Sequence, residues 1–194
     1  MHELSSERAE MHHELIIAGF GGQGVLKLGQ TLAEAAVLED REVVWTPAYG
    51  PEMRGGPAFC TIIISSHPIG APILSQADTA IIMDQPSLHK YQAQVRPTGA
   101  MLINSSLVDA RQARTDRPVY AIFANRIAEE IGDNLIVNMV MLGAFIELTR
   151  LVEPDSVLHA LRDSLPERRH YLLPMNERAL LAGAGALRSL QAAG

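Results

Sequence analysis

Gly19-Phe20-Gly21-Gly22-Gln23-Gly24 constrains this chain more than any other segment. It fits the pattern G-x-G-x-x-G. The short apolar run Glu14-Leu15-Ile16-Ile17-Ala18 precedes it and reads as a buried strand. Val25 to Leu38 follows, with apolar residues at 25, 26, 28, 32, 33, 36 and 37, the rhythm of a helix. A strand, a glycine turn and a helix in that order form the opening half of a βαβ unit. Such units build sheets that are mostly parallel and covered by helices.

Further strands are expected at Glu42–Trp45, Ala58–Ser65, Thr79–Met83, Gly99–Ile103 and Val119–Ala124. Thr46 to Pro57, with three prolines and three glycines, reads as a loop. Helical patterns run through Leu88 and Tyr91, from Asn134 to Arg150, from Pro154 to Leu165 and from Asn176 to Leu190. The fold class expected is α/β: a three-layer α/β/α arrangement with a mostly parallel, Rossmann-like sheet. Residues 1–13 read as a flexible tail and residues 14–194 as a single domain. The chain has 194 residues, a length that supports one real core.

The chemistry of the glycine turn follows from its composition. Glycine lets the backbone turn sharply and approach a ligand. The helix N-terminus behind it presents unpaired N–H groups to an anion. Gly21, Gly22, Gln23 and Gly24 are therefore candidates for holding a phosphate-bearing ligand. A dinucleotide site also wants an acidic residue at the end of the second strand. Here that strand ends at Trp45-Thr46-Pro47, and Glu39 and Asp40 precede it. No G-K-[ST] follows the turn, which excludes a P-loop.

A second segment, Ala48-Tyr49-Gly50-Pro51-Glu52-Met53-Arg54-Gly55-Gly56-Pro57, follows the second strand. In an open α/β sheet it belongs to the same edge as the glycine turn. Arg54 supplies a planar cation suited to phosphate or carboxylate, Glu52 can orient it, and Tyr49 stands at the entry. Asn104 and Asn125 each follow an expected strand, so each is a candidate for the same crevice or for a turn cap.

The rest of the composition excludes several classes. Formal net charge is −6 with no basic stripe, and Arg111, Arg114 and Arg117 read as a solvated connection. Nucleic acid is not an expected partner. The single cysteine, Cys60, sits in an apolar run and reads as a buried strand residue. One cysteine cannot ligate an iron–sulfur cluster alone. No apolar stretch reaches a membrane span and the N-terminus is neither a signal nor a basic transit segment, so a cytoplasmic protein is expected.

Gly19 to Val25 together with Tyr49 to Gly56 resembles the γ subunits of the pyruvate, 2-ketoisovalerate and 2-oxoglutarate ferredoxin oxidoreductases. The likeness continues through Asp84-Gln85-Pro86-Ser87-Leu88, Gly99 to Ser106 and Asn138 to Ala144. It implies a chain that helps bind CoA beside the active site of a larger enzyme. That enzyme converts a 2-oxoacid, CoA and oxidised ferredoxin to acyl-CoA, CO₂ and reduced ferredoxin. Thiamine diphosphate, Mg and iron–sulfur clusters are then expected on partner subunits of α, β and δ or ferredoxin-like type, with a 2-oxoglutarate or branched-chain substrate favoured. The residues carried over are Gly21, Gly22, Gln23, Gly24, Tyr49, Glu52, Arg54 and Asn104, with no catalytic residue in this chain. Two alternatives stay open: the small subunit of an indolepyruvate ferredoxin oxidoreductase, and a stand-alone nucleotide- or CoA-binding module.

Overall fold

The structure is a computed structural model that describes residues 11–49 and 56–193. Six strands form one sheet in the order β2-β3-β1-β4-β5-β6. The strands are β1 (His12–Phe20), β2 (Glu42–Tyr49), β3 (Pro57–Ser65), β4 (Ala77–Ile82), β5 (Val95–Asn104) and β6 (Val119–Ile122). β1 pairs in parallel with β4, β4 with β5 and β5 with β6. β3 is antiparallel to both β1 and β2, so it alone runs against the other five. The expected mostly parallel α/β sheet is what the chain forms.

Several boundaries differ from the sequence reading, β5 for one beginning at Val95 rather than Gly99, and two of them bear on the site. β1 begins at His12, where His12 and His13 pair with Ser65 and Ile64. These two residues lengthen an inner strand at an end that apolar periodicity alone does not mark. β2 also runs on through Thr46-Pro47-Ala48-Tyr49, opposite Thr61 to Ala58 of β3, where a loop was expected. Proline is tolerated there because β2 is the edge strand, with one side free of ladder bonds. The loop shrinks to the connection of a β2–β3 hairpin.

Alternation along the strands sorts the core into two faces. Leu15, Ile17, Cys60, Ile62, Ile64, Ile81, Leu102 and Ile122 face a layer of five helices. Those helices are α1 (Val25–Leu38), α3 (Ala124–Ile131), α4 (Val137–Thr149), α5 (Pro154–Ser164) and α6 (Leu173–Ala193). Ile16, Ala18, Ala80, Ile82, Met101 and Ile103 face the other way. Leu88 and Tyr91 of α2 (Gln85–Tyr91) cover them, with Val108 and Ala113 from the β5–β6 connection.

Helix starts and stops follow local chemistry. The Asp84 carboxylate accepts the Ser87 amide at 2.9 Å, and Pro86 stands in the first turn of α2. Gly132 ends α3 at φ 116°. α4 is buried from Val137 to Ile146 because α6 crosses it at close range. A Cβ on Gly143 would collide with the Leu180 carbonyl, and one on Gly183 with that of Val140. Arg117 departs from the expected solvated connection. It is 8% exposed, reaching the carbonyls of Val95 and Arg96 while the Asp116 carboxylate meets its guanidinium. A buried guanidinium is tolerated when its donors are satisfied, and here carbonyls and carboxylate do that.

Candidate functional site: the crevice at the strand carboxyl ends

β1, β4, β5 and β6 all end at the same edge of the sheet, and the β2–β3 hairpin turns there too. From β1 the chain leaves through α1 over one face to reach β2. From β4, its neighbour, the chain leaves through α2 over the other face to reach β5. The two departures in opposite directions open a crevice between the ends of β1 and β4. This is the topological switch point at which ligands bind in open α/β sheets.

The glycine turn forms one lip of that crevice. Gly22 has φ 105° and Gly24 φ 74°, conformations that L side chains rarely adopt. Gly24 is constrained twice, because a Cβ there would meet Asn138 Nδ2 at 2.6 Å. Around Gly22 the position of a Cβ is open space, so its backbone is approachable. Gly24 is the N-cap of α1, no side chain caps the helix, and the first turn holds no acidic residue. Its leading amides therefore have no side-chain partner, the arrangement that suits an anion at a helix N-terminus.

The second expected segment meets the turn at its flanks. Phe20 pairs with Pro57, and the Gly21 amide donates to the Gly56 carbonyl at 2.8 Å. Tyr49 closes β2 opposite Ala58. Both ends of the hairpin connection thus stand at the rim that carries residues 19–24. Glu52 and Arg54 lie outside the described residues.

Gln23 takes a different place from the one its motif suggests. Its Oε1 accepts the Phe20 amide at 2.9 Å and its Nε2 donates to the Met83 carbonyl at 2.9 Å. The side chain fastens the turn to the end of β4. Asn104 is fully buried two strands from β1, roughly 10 Å across the sheet at ordinary strand spacing. Its Nδ2 donates to Asn125 Oδ1 at 2.8 Å and its Oδ1 accepts the Ser106 amide at 3.3 Å. Asn125 in turn donates its amide to Ser106 Oγ at 3.2 Å. This network shapes the rim after β5 and β6. The structure leaves the Gly22 backbone open, ties Gly21 to Gly56 and Gly24 to Asn138, and commits the Gln23 and Asn104 side chains to holding loops.

Sequence reasoning missed Met83 and Asn138 as parts of the turn. The Met83 contribution is a carbonyl, which no residue type signals. Asn138 Nδ2 donates to the Gly24 carbonyl at 3.4 Å from 114 residues away. Lys27, one turn into α1, points away from the turn toward α5, donating to Ser164 Oγ at 2.7 Å. Burial lowers its pKa, with Glu34 opposing the shift. Among the described residues no group of three His, Cys, Asp or Glu is placed to hold a metal ion. None of the described helices is long and apolar enough to cross a membrane.

Known proteins share both sequence and fold with this chain. A family model described as pyruvate ferredoxin/flavodoxin oxidoreductase matches residues 14–186. The 2-oxoglutarate synthase subunit KorC of Methanocaldococcus jannaschii is 36% identical over 167 residues, covering 84% of this chain and 89% of KorC. The ketoisovalerate oxidoreductase subunit VorA of Methanothermobacter marburgensis is 38% identical over 170 residues, covering 87% of this chain and 35% of VorA. Among solved structures, the γ subunit of keto/oxoacid ferredoxin oxidoreductase from Geobacter sulfurreducens superposes with TM-score 0.80 at 28% identity, covering 92% of this chain and 98% of that one. The 2-oxoglutarate:ferredoxin oxidoreductase of Magnetococcus marinus, solved with 2-oxoglutarate, coenzyme A and succinyl-CoA, shares the fold with TM-score 0.85 at 21% identity. The match covers 93% of this chain and 32% of that one.

Proposed function

The chain belongs to the pyruvate ferredoxin/flavodoxin oxidoreductase family, as a γ-type subunit of a 2-oxoacid:ferredoxin oxidoreductase, and from that premise we propose that its glycine turn binds CoA for the larger enzyme. The reaction joins the acyl group of a 2-oxoacid to the CoA thiol, releases CO₂ and passes two electrons to ferredoxin. Thiamine diphosphate supplies the carbanion chemistry and iron–sulfur clusters carry the electrons, both on partner subunits. This chain contributes binding and orientation.

One observation carries the reading: uncapped amides of α1 beside the approachable backbone of Gly22, at the switch point of the sheet. Backbone donors at a helix N-terminus suit the pyrophosphate of CoA. Arg54 and Glu52, in the connection whose flanks meet this turn, are the side chains best suited by type to add charge and orientation. Holding the nucleotide end leaves the pantetheine arm to reach a reaction centre on the partner. A substrate of 2-oxoglutarate or branched-chain type accords with the KorC and VorA likeness. Residence in the cytoplasm belongs to the same proposal.

The test uses the enzyme purified with its partner subunits. Gly22→Ala adds a methyl group into open space but forces a strained φ at the ligand's side. The expected result is a raised KM for CoA with the KM for the 2-oxoacid unchanged. An unchanged KM for CoA in both Gly22→Ala and Arg54→Ala removes the site. A chain that purifies without larger subunits favours the stand-alone module instead.

A further inference from the structure

Gly24 is held by a side chain from another helix. Asn138, the second residue of α4, is 6% exposed and reaches the turn from 114 residues away. Its carboxamide acts in two directions. The Oδ1 accepts the Met139 amide at 3.0 Å in the first turn of α4, and the Nδ2 donates to the Gly24 carbonyl at 3.4 Å. Only one orientation of the amide satisfies both. Turned over, its N–H groups would face the Met139 N–H and its oxygen the Gly24 carbonyl. The contact is also steric. A Cβ on residue 24 would stand 2.6 Å from Nδ2, 2.8 Å from Cγ and 3.1 Å from Cβ of Asn138. The side chain is therefore packed against the Gly24 backbone itself.

What this contact governs is the next peptide. A trans peptide is planar, so the Gly24 carbonyl and the Val25 N–H lie in one plane and point in opposite directions. The Gly24 carbonyl accepts the Leu28 amide at 2.8 Å as the first bond of α1, and Asn138 bonds the same oxygen. Gly24, at φ 74° and ψ 19°, is a residue whose backbone rotates freely unless something restrains it. A carbonyl bound twice restrains that rotation. At the other end of the plane, the Val25 amide has no acceptor among the described residues, and neither do those of Leu26 and Lys27. We propose that Asn138 is a positioning residue for CoA. Through the Gly24 carbonyl it fixes the direction of the Val25 amide, the leading donor of α1, without touching the ligand. This role rests on the reading of the glycine turn as the CoA-binding segment and deepens it: α4 aims the donors that the turn exposes. A binding group holds its geometry when a supporting contact locks it beforehand.

The experiment uses the complex purified with its partner subunits and compares two variants. Asn138→Asp keeps the shape and the acceptor for Met139 but loses the donor to Gly24. Asn138→Ala removes both bonds. Each is expected to raise the KM for CoA about five-fold, the size of one neutral hydrogen bond, with kcat and the KM for the 2-oxoacid within about two-fold of wild type. Gly22→Ala is measured beside them. If it raises the KM for CoA while both Asn138 variants keep the wild-type value, the role of Asn138 is overturned alone. A loss spread over kcat and both substrates marks a residue that merely holds α4 in the fold and also overturns it. Failure of both variants to assemble with the partner subunits does the same. If Gly22→Ala and both Asn138 variants all leave the KM for CoA unchanged, the reading of the glycine turn falls and the role of Asn138 falls with it.

Discussion

Gln23 and Met83 join the two strands that flank the switch point: the Gln23 side-chain amide donates to the Met83 carbonyl at 2.9 Å, while its carbonyl oxygen accepts the amide of Phe20. Met83 donates its own amide to the Ala18 carbonyl at 2.8 Å, so the end of β4 is tied to β1 by backbone and side chain together. The glutamine in this turn is thus a fastener. It sets the path of the glycine backbone.

Gln23→Ala removes both bonds and leaves the Phe20 amide and the Met83 carbonyl without their side-chain partner. The expected loss is about 1–3 kcal/mol of unfolding free energy, read by chemical denaturation. In the assembled enzyme the same variant is expected to raise the KM for CoA through a displaced turn. Gln23→Glu is expected to do worse, since a carboxylate would face the Met83 carbonyl.

Gly143→Ala tests the crossing of α4 over α6. The added methyl group meets the Leu180 carbonyl, a backbone atom that moves only if α6 moves. Overpacking of this kind costs about 1–3 kcal/mol, and more where backbone must shift. Thermal unfolding should show a lower Tm, and Gly183→Ala should match it at the Val140 carbonyl. Gly185→Ala, where a Cβ meets only the end of the Arg188 side chain at 3.9 Å, is the control and should be neutral or slightly stabilising.

His13 predicts an acid limb in the stability profile. Burial pushes its pKa from 6.5 down to about 4, with Asp78 opposing and Arg96 and His12 adding to the fall. Between those values the unfolded chain binds a proton that the folded chain refuses. Stability is therefore whole above pH 6.5 and is lost as the pH falls toward 4, by up to roughly 3 kcal/mol. His13→Gln keeps a partner for Thr79 Oγ1, 3.1 Å away in the parent. It should flatten that limb when unfolding is measured across pH 4 to 7. The carboxylates of Asp109 and Asp116, held below their usual range by Arg111 and Arg114, act only below about pH 4 and leave this window clear.

Cys60 should be silent toward thiol reagents. It is fully buried beside Trp45, and burial pushes its thiol up to about 12. The thiolate is the reactive form. Iodoacetamide at pH 8 is expected to leave the native protein unmodified and to label it at the rate of unfolding. Rapid labelling under native conditions contradicts the packing described for α1 and β3.

All six strands were legible because their apolar runs are dense, as in Ile16-Ile17-Ala18 and Ile62-Ile63-Ile64, and helices alternate with them. The end of β2 was not. Proline and glycine dominate the stretch from Thr46, and only the edge position of β2 makes Pro47 acceptable in a strand. The single antiparallel strand was hidden for the same reason, since a hairpin there replaces a crossover. In the site, Gly22 and Gly24 declared themselves through the conformations that only glycine adopts readily. The inward roles of Gln23 and Asn104 were invisible, because their partners are a carbonyl on β4 and an asparagine on α3. Arg117 misled for a related reason. A guanidinium in a polar connection reads as solvated until the carbonyls of Val95 and Arg96 are seen around it.

Hydrogen–deuterium exchange on the assembled enzyme, with and without CoA, tests the central claim most directly. The amides from Gly22 to Lys27 at the head of α1 should slow when CoA binds, with the 2-oxoacid alone leaving them unchanged. Protection that appears elsewhere on the enzyme while this segment exchanges at the same rate would contradict the assignment of the glycine turn to CoA.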